Sequence, residues 1–186
     1  VAMCAANDFS KVADLLVHAQ AGLGANLSAF EVIWKNTYKL IDEHVPHATV
    51  PMDDHYGFYV LIESMGSHAE KDSDLFLEVL SQASEAKLIE EVIVADSDTK
   101  IKNLWTVRDA AAEIYPGVVY MHTYDVSLNV GDMGYFGEEV ECRLRAEWPD
   151  AILGLFGHIG DGNVHISKLM LNRLIRSNLS SKSKSF

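Results

Sequence analysis

Strand-like and helix-like segments alternate along almost the whole chain. Six apolar or aromatic stretches predict strands, namely "VAMCAA", "LSAFEVIW", "YGFYVLIES", "EEVIVA", "VVYMHTYDVSL" and "AILGLFGHI". Between them lie segments with apolar residues at helical spacing, such as "SDLFLEVLSQASEAKL". Aromatic-rich strands that are half polar favour a sheet with helices on one face only. We therefore expect an α+β fold, with an antiparallel sheet of ferredoxin-like units and helices packed on one face.

The charge of the chain is acidic and unevenly distributed. Residues 1–167 hold 10 basic and 27 acidic side chains, a net charge of −17, against −12 for the whole chain. Such a surface repels nucleic acid and anionic membranes. No apolar run approaches the roughly 18–20 residues that a membrane helix needs. The first residues also lack the basic and apolar regions of a secretory signal. We expect neither nucleic acid nor a membrane as a partner.

Two cysteines, Cys4 and Cys142, stand far apart in the chain. They form neither a CxxC pair nor a disulfide framework. We expect reduced thiols, which predicts a cytoplasmic location.

The end of the chain differs in composition from the rest. No acidic residue follows Asp161, and the last residues are a serine–lysine run. Two interpretations stay open: a native continuation with a short amphipathic helix in its middle, or a segment that is not native. We expect one domain over residues 1–166 and a basic tail over residues 167–186.

The stretch "FGHIGDGNVHI" places two histidines on either side of a glycine-rich turn. Asp161-Gly162 is among the best pairs for a two-residue type I′ turn, which needs positive φ at both positions. A hairpin centred there places His158 opposite His165. Because side chains alternate along a strand, both histidines and Asn163 then point to the same face.

Two imidazoles opposite each other can share one ligand, since their Cβ atoms lie about 4.5–5.5 Å apart in such a pair. Neutral imidazole suits a transition metal such as zinc. A histidine can also accept the proton of a substrate hydroxyl. The alternative is an ordinary hairpin with two polar histidines, and the pattern alone leaves both interpretations open.

The segment "GHIGDGNVHI" resembles the GHxGDGNxH motif of the C-terminal, substrate-side domain of FAD-linked 2-hydroxyacid dehydrogenases, in the vanillyl-alcohol-oxidase superfamily. The segments "LSAFEVI", "FYVLIES", "LWTVRDA" and "YDVSL" follow the order of that family. They are most similar to the D-2-hydroxyglutarate dehydrogenase and D-lactate dehydrogenase branch. The resemblance extends to about Ile166.

The resemblance implies roles for four residues. His158 and His165 would bind a divalent metal, usually zinc, or contact the substrate directly. Asn163 would lie near substrate and flavin. Arg108, which follows Trp105 in a WxxR motif, would bind the substrate carboxylate, a role that suits the bidentate guanidinium. Without the resemblance, a helix-surface arginine paired with Glu or Asp is the simpler interpretation.

The segment "MHTYDV" is expected to face the substrate, which makes His122 a candidate substrate ligand. This chain departs from the close branch at three points. Thr123 replaces a lysine and Ala112 replaces a threonine, and in the hydroxyglutarate enzymes both contribute to substrate binding. The third departure is a Glu-His-Gly segment, absent here, whose glutamate completes the metal site of the family.

Family members carry an N-terminal FAD-binding domain, which nothing in this sequence resembles. We therefore expect a cap-domain fragment or one half of a split enzyme, inactive alone. Its expected partners are a small 2-hydroxy acid and the FAD-binding domain of the same enzyme; a homodimer stays open.

By this resemblance, Arg108 would hold the carboxylate of a D-2-hydroxy acid while a metal on the two histidines polarises the hydroxyl group. A histidine would then accept the hydroxyl proton as hydride leaves for the flavin. Without a metal, one of the two histidines would act alone as the base. The competing interpretation is a stand-alone ferredoxin-like module that binds a metabolite or metal without catalysis.

Overall fold

The computed structural model describes residues 1–114 and 118–171, which form seven strands and five helices. The strands are β1 (Ala2–Ala6), β2 (Leu27–Trp34), β3 (Phe58–Ser64), β4 (Glu91–Val94), β5 (Val118–Ser127), β6 (Ala151–His158) and β7 (Asn163–Leu171). The helices are α1 (Phe9–Leu23), α2 (Lys35–His44), α3 (Ala69–Glu85), α4 (Asp98–Ala110) and α5 (Val130–Glu147).

All seven strands join one antiparallel sheet, in the order β4-β1-β3-β2-β6-β7-β5. The first four strands have the order β4-β1-β3-β2, with α1 after β1 and α3 after β3. This is the β-α-β-β-α-β arrangement of a ferredoxin-like unit, with α2 inserted between its second and third strands. The α+β class, the antiparallel sheet and the ferredoxin-like unit expected from the sequence are confirmed.

The second half of the sheet repeats part of this arrangement. Strands β5, β6 and β7 lie in the order β5-β7-β6, and α5 connects β5 to β6. Their order matches that of β1, β3 and β2 in the first unit. The two halves meet where β2 pairs with β6, at the register pairs Glu31–His158, Val32–Gly157 and Ile33–Phe156. Among the described residues, this short seam is the strand pairing that joins the halves, and side-chain packing on both faces of the sheet adds to it.

Helices cover both faces of the sheet, so the expectation of helices on one face is wrong. Side chains of α1, α3 and α5 pack with Ala2, Cys4 and Ala6 of β1, on what we call the α1–α3–α5 face. Side chains of α2 and α4 pack with Met3 and Ala5, on the α2–α4 face. All five residues of β1 are fully buried. The half-polar pattern that suggested one covered face belongs to β5, at the edge of the sheet.

Helix α2 is fixed to β6 by one buried threonine. The Thr37 hydroxyl accepts a hydrogen bond from Leu155 N (2.7 Å) and donates one to Leu155 O (2.9 Å). These bonds satisfy a polar side chain with no exposed surface. They also fix the position of β6 at Leu155, three residues before His158.

Strand β7 runs on to Leu171, past the expected domain end at residue 166. Ser167 and Leu169 are buried, so the domain includes residues that we expected in the tail. The rest of that tail lies outside the described residues. Among the helices that the structure describes, none is long and apolar enough to cross a membrane.

Candidate active site

The connection between β6 and β7 is longer than the predicted two-residue turn. Ile159–Asp161 forms a short 3₁₀ turn, and Gly162 follows in the left-handed region at φ 74°. Asp161 lacks the positive φ that a type I′ turn requires. The Ile159 side chain is buried in the core, and the residue does not take part in the pairing between β6 and β7.

The register of the hairpin therefore differs from the prediction by two residues. Phe156, and not His158, lies opposite His165. A shift by two keeps every side chain on its predicted face, because side chains alternate with period two. The two imidazoles consequently still meet, edge to face, with ring centroids 5.3 Å apart.

Two glycines, Gly157 near the end of β6 and Gly162 in the connection, are required by the backbone. A Cβ on Gly157 would lie 2.4 Å from the backbone oxygen of Asn163. Gly162 combines its positive φ with a close approach to Leu128 O, which a Cβ would meet at 2.9 Å. Gly160 is different, since its nearest neighbour would be Phe30 Cβ at 3.7 Å.

Four polar side chains form a row across four adjacent strands. Glu31 on β2 is the register partner of His158 on β6, and Asp125 on β5 is the register partner of His165 on β7. Glu31 Oε1 lies 2.8 Å from His158 Nδ1, and Asp125 Oδ1 is hydrogen-bonded to His165 Nδ1. The order across the sheet is therefore carboxylate, imidazole, imidazole, carboxylate, which we call the acid–histidine row.

Arg108 of α4 reaches one end of the acid–histidine row. Its Nε and Nη2 atoms donate to Glu31 Oε2 at 3.1 and 3.0 Å. Nη2 also lies 3.2 Å from Nδ1 and 3.1 Å from Nε2 of His158, over the nitrogen edge of the ring. Nη1 contacts the exposed Asp109 at 3.3 Å. The carboxylate pairing that the sequence allowed for this arginine is thus present, but the Arg108 side chain is only 15% exposed and that of Glu31 8%.

Trp105 and Asn163 border the same region. The Trp105 indole donates to Glu63 on β3 at 3.0 Å, which holds the WxxR segment against the sheet. Asn163 lies two residues before His165 on β7, so its side chain points to the same face. Its Oδ1 atom is buried and has no hydrogen-bond partner among the residues that the structure describes. A buried polar atom of this kind usually accepts a hydrogen bond from a ligand or a water molecule.

His122 does not join the site. It is the register partner of Lys168, whereas Asp125, three residues later, is that of His165. Because the two positions are an odd number of residues apart, His122 lies on the opposite face of the sheet from the histidine pair. Thr123 lies on the site face and is exposed. Ala112, which follows α4, is also exposed.

A polar cleft of about 250 Å³ opens beside His158. It lies between the end of α1, the start of β2 and the β6–β7 connection. Its lining includes Gln20, Ser28, Glu31, Gly160 and Asp161. The cleft gives solvent access to one end of the acid–histidine row.

The described residues do not form the metal site that the resemblance implies. They contain no group of three or more His, Cys, Asp and Glu side chains that could hold a metal ion. His158 and His165 each bond a carboxylate through Nδ1, the second-shell arrangement usual for metal-bound histidine. Two imidazoles supply fewer ligands than a zinc site uses.

Glu31 and Asp125 belong to the acid–histidine row, although no motif in the sequence predicted them as site residues. Glu31 is the one charged residue in the apolar segment "LSAFEVIW", and Asp125 stands in "YDVSL". For Glu31 the available signal was a lone carboxylate in a strand of otherwise buried character, which needs a partner; Asp125 lies in a mostly exposed strand and gave no such signal.

The sequence is similar to those of known proteins over most of its length. The FAD linked oxidases, C-terminal domain family matches residues 1–172. A D-2-hydroxyglutarate–pyruvate transhydrogenase of Saccharomyces cerevisiae is 30% identical over 167 residues, which are 86% of this chain and 34% of the yeast protein. A mitochondrial D-2-hydroxyglutarate dehydrogenase of Arabidopsis thaliana is 29% identical over 167 residues, 90% of this chain and 29% of that protein. The chain thus spans about a third of the length of these relatives.

A solved structure shares the fold. The 4-ethylphenol oxidase from Gulosibacter chungangensis, in complex with isoeugenol, matches with a TM-score of 0.51 and 13% sequence identity. The match covers 90% of this chain and 38% of the oxidase. The expected cytoplasmic location stays a prediction, since the name of the plant relative places that protein in mitochondria.

Proposed function

The chain belongs to the family of FAD-linked oxidase C-terminal domains, and on that premise we propose that it is the substrate-binding cap domain of a flavin-dependent dehydrogenase. The proposed substrate is a D-2-hydroxy acid of the D-lactate or D-2-hydroxyglutarate type, and the product is the 2-oxo acid. The names of the relatives support this substrate class. The acid–histidine row with Arg108 at its end is the observation that carries the proposal.

In this proposal, Arg108 binds the substrate carboxylate. Two of its nitrogens already bond Glu31, so the carboxylate would take Nη1 in place of the exposed Asp109. The Asp109 contact is easily exchanged, because the Asp109 side chain is 63% exposed and exposed ion pairs are weak. Glu31 stays in place and holds the guanidinium during the exchange.

The substrate hydroxyl would lie at the histidine pair. A hydroxyl at this position can donate its proton to an imidazole nitrogen, and either His158 or His165 is the proposed acceptor. Bound FAD would supply the chemistry of accepting hydride from the α-carbon. Among the described residues, Asn163 fits a contact with flavin or substrate, since its buried Oδ1 atom has no partner. The FAD-binding domain of the same enzyme would bind the rest of the cofactor.

We also propose that His158 and His165 contribute two ligands to a divalent metal such as Zn²⁺. The remaining ligands would come from outside the described residues, which hold no third candidate in the same group. The chemistry of the donors fits, because imidazole is a preferred zinc ligand and both rings have a carboxylate behind them. The roles of Arg108 and Asn163 do not depend on this metal.

The experiment that tests the proposed function is an NMR titration of this chain with D-lactate and with D-2-hydroxyglutarate. We expect shifts confined to the Arg108 side chain, the two histidine rings and the Asn163 amide. The L-enantiomers are the control ligands, and Arg145→Gln, at an exposed arginine of α5, is the control variant beside Arg108→Gln. The proposal fails if neither D-acid shifts these signals, or if Arg108→Gln binds both acids as well as the unmodified chain does.

A further inference from the structure

We propose that Glu31 is a positioning residue, which holds Arg108 and His158 as one rigid unit and fixes the tautomer of the His158 ring. Both oxygens of this carboxylate are occupied: Oε1 faces His158 Nδ1, and Oε2 accepts two bonds from Arg108. The inference rests on the proposed function in one respect, since the groups positioned in this way are the ones that would meet the substrate.

Glu31 differs from an ordinary surface ion-pair partner. Its side chain is 8% exposed and projects from the middle of β2, between residues that belong to the core. The backbone on both sides is fixed by pairing with β3 and β6. A carboxylate on such a rigid strand has little freedom to follow its partners. The partners must therefore take up positions that suit the carboxylate.

The hydrogen bonds determine where the proton of the neutral His158 ring lies. A carboxylate paired with arginine can only accept, so Nδ1 of His158 must be the donor to Glu31. Nε2 is then the acceptor nitrogen of the ring, and Arg108 Nη2 lies 3.1 Å from it. His165 has the same arrangement, with Asp125 as the acceptor for its Nδ1 atom. The two carboxylates thus select the same tautomer in both rings.

The two ends of the acid–histidine row differ in rigidity. Glu31 is buried, whereas the Asp125 side chain is 73% exposed and no arginine contacts it among the described residues. Replacing Glu31 should therefore disturb two partners, while replacing Asp125 should disturb one. This contrast supplies a matched pair of variants within one site.

The test is long-range ¹H–¹⁵N NMR of the histidine rings in this chain, recorded at a pH at which the ring ¹⁵N shifts are those of neutral imidazole. In the unmodified chain we expect the Nδ1–H tautomer for His158 and for His165. Glu31→Met removes both acceptor oxygens at similar volume, and we expect it to change the His158 tautomer and the Arg108 Nε–H signal. His165 should be unaffected. Asp125→Ala should give the reverse result for the two rings.

A second variant covers the case in which Glu31→Met does not fold. Glu31→Gln keeps the size of the side chain but has a single acceptor oxygen, which can serve His158 or Arg108 but not both. At least one of the two signals must then change. The inference is overturned if the unmodified chain has His158 as the Nε2–H tautomer, or if the folded variants leave both signals unchanged. Neither readout needs a substrate, so failure to bind a hydroxy acid would count against the proposed function alone.

Discussion

His158 and His165 meet edge to face, 5.3 Å apart, although neither is the register partner of the other. Each ring is paired across the sheet with a carboxylate on a flanking strand. The acid–histidine row as a whole therefore depends on four strands being in register.

Binding of Zn²⁺ should depend on both rings of the pair. In a calorimetric titration we expect heat of binding for the unmodified chain and its loss in His158→Ala and in His165→Ala. His122→Ala is the matched control, since His122 lies on the opposite face of the sheet. Binding that survives in either site variant, or that disappears in the control, would contradict the proposed half-site.

Removal of Arg108 should destabilise the fold as well as the site. Arg108→Met leaves the carboxylate of Glu31 buried without its cation, which typically costs about 3–5 kcal/mol. The double variant Glu31→Met/Arg108→Met should recover much of this loss, because no buried charge remains. Urea unfolding of the two single variants and the double variant measures the coupling. Additive losses would show that the two side chains do not interact.

Two glycines of the same motif should respond differently to alanine. Gly157→Ala places a Cβ against the backbone of Asn163, which cannot move aside, and should cost about 1–3 kcal/mol in unfolding free energy. Gly160→Ala makes only an ordinary van der Waals contact with Phe30 Cβ, at 3.7 Å, and should stay within ~0.5 kcal/mol of the unmodified chain. Equal losses at both positions would mean that the close approach at Gly157 is not present in solution.

The two thiols should differ sharply in reactivity. Burial raises the pKa of Cys4 to about 12, whereas Cys142 is exposed. Because the thiolate is the reactive form, we expect one thiol to react with a disulfide reagent in the native chain and a second only in denaturant. The variant Cys142→Ser should then show no native reaction. Rapid labelling of Cys4 without denaturant would argue against the buried position of β1.

The fold should lose stability in alkaline solution. Burial raises the pKa of Tyr38 and of Tyr59 above the ordinary value of 10.0. In the unfolded chain both phenols ionise near the ordinary value, so their contribution to stability is complete below it and is lost as the pH rises above it. The measurement is the urea midpoint across this range. Tyr59→Phe should reduce the decrease of the urea midpoint with rising pH, while Tyr135→Phe, at an exposed tyrosine, should not change this decrease.

The sequence predicts most of the fold, because the period of its apolar residues follows the local structure. All the segments predicted as strands contribute strands, and "GDGN" does turn the chain. The predicted register of the hairpin is wrong. Burial of the Ile159 side chain takes that residue out of the strand pairing, and turn propensity carries no information on burial. The second helical layer is also missed, since five apolar residues in β1 do not reveal which elements cover them.

The site is predictable only in part for a similar reason. The motif identifies His158, His165 and Asn163 because they are close in the chain, and the face that they share follows from alternation alone. Glu31 is 127 residues away from His158, and only the order of the strands brings the two together. His122 lies on the other face from the histidine pair, because one residue decides which face a strand position occupies.

The seam between β2 and β6 links the integrity of the site to the pairing of the two halves of the sheet. One of its three register pairs is Glu31–His158, so the junction of the two halves and the end of the acid–histidine row are the same place. Neither half assembles the row alone, however well its own strands and helices form. A partly open state with this seam separated would keep nearly all of its secondary structure, while the His158 imidazole moved away from Glu31 and Arg108, which both belong to the first half. Hydrogen exchange at the amides of the seam would therefore report the lifetime of the assembled site.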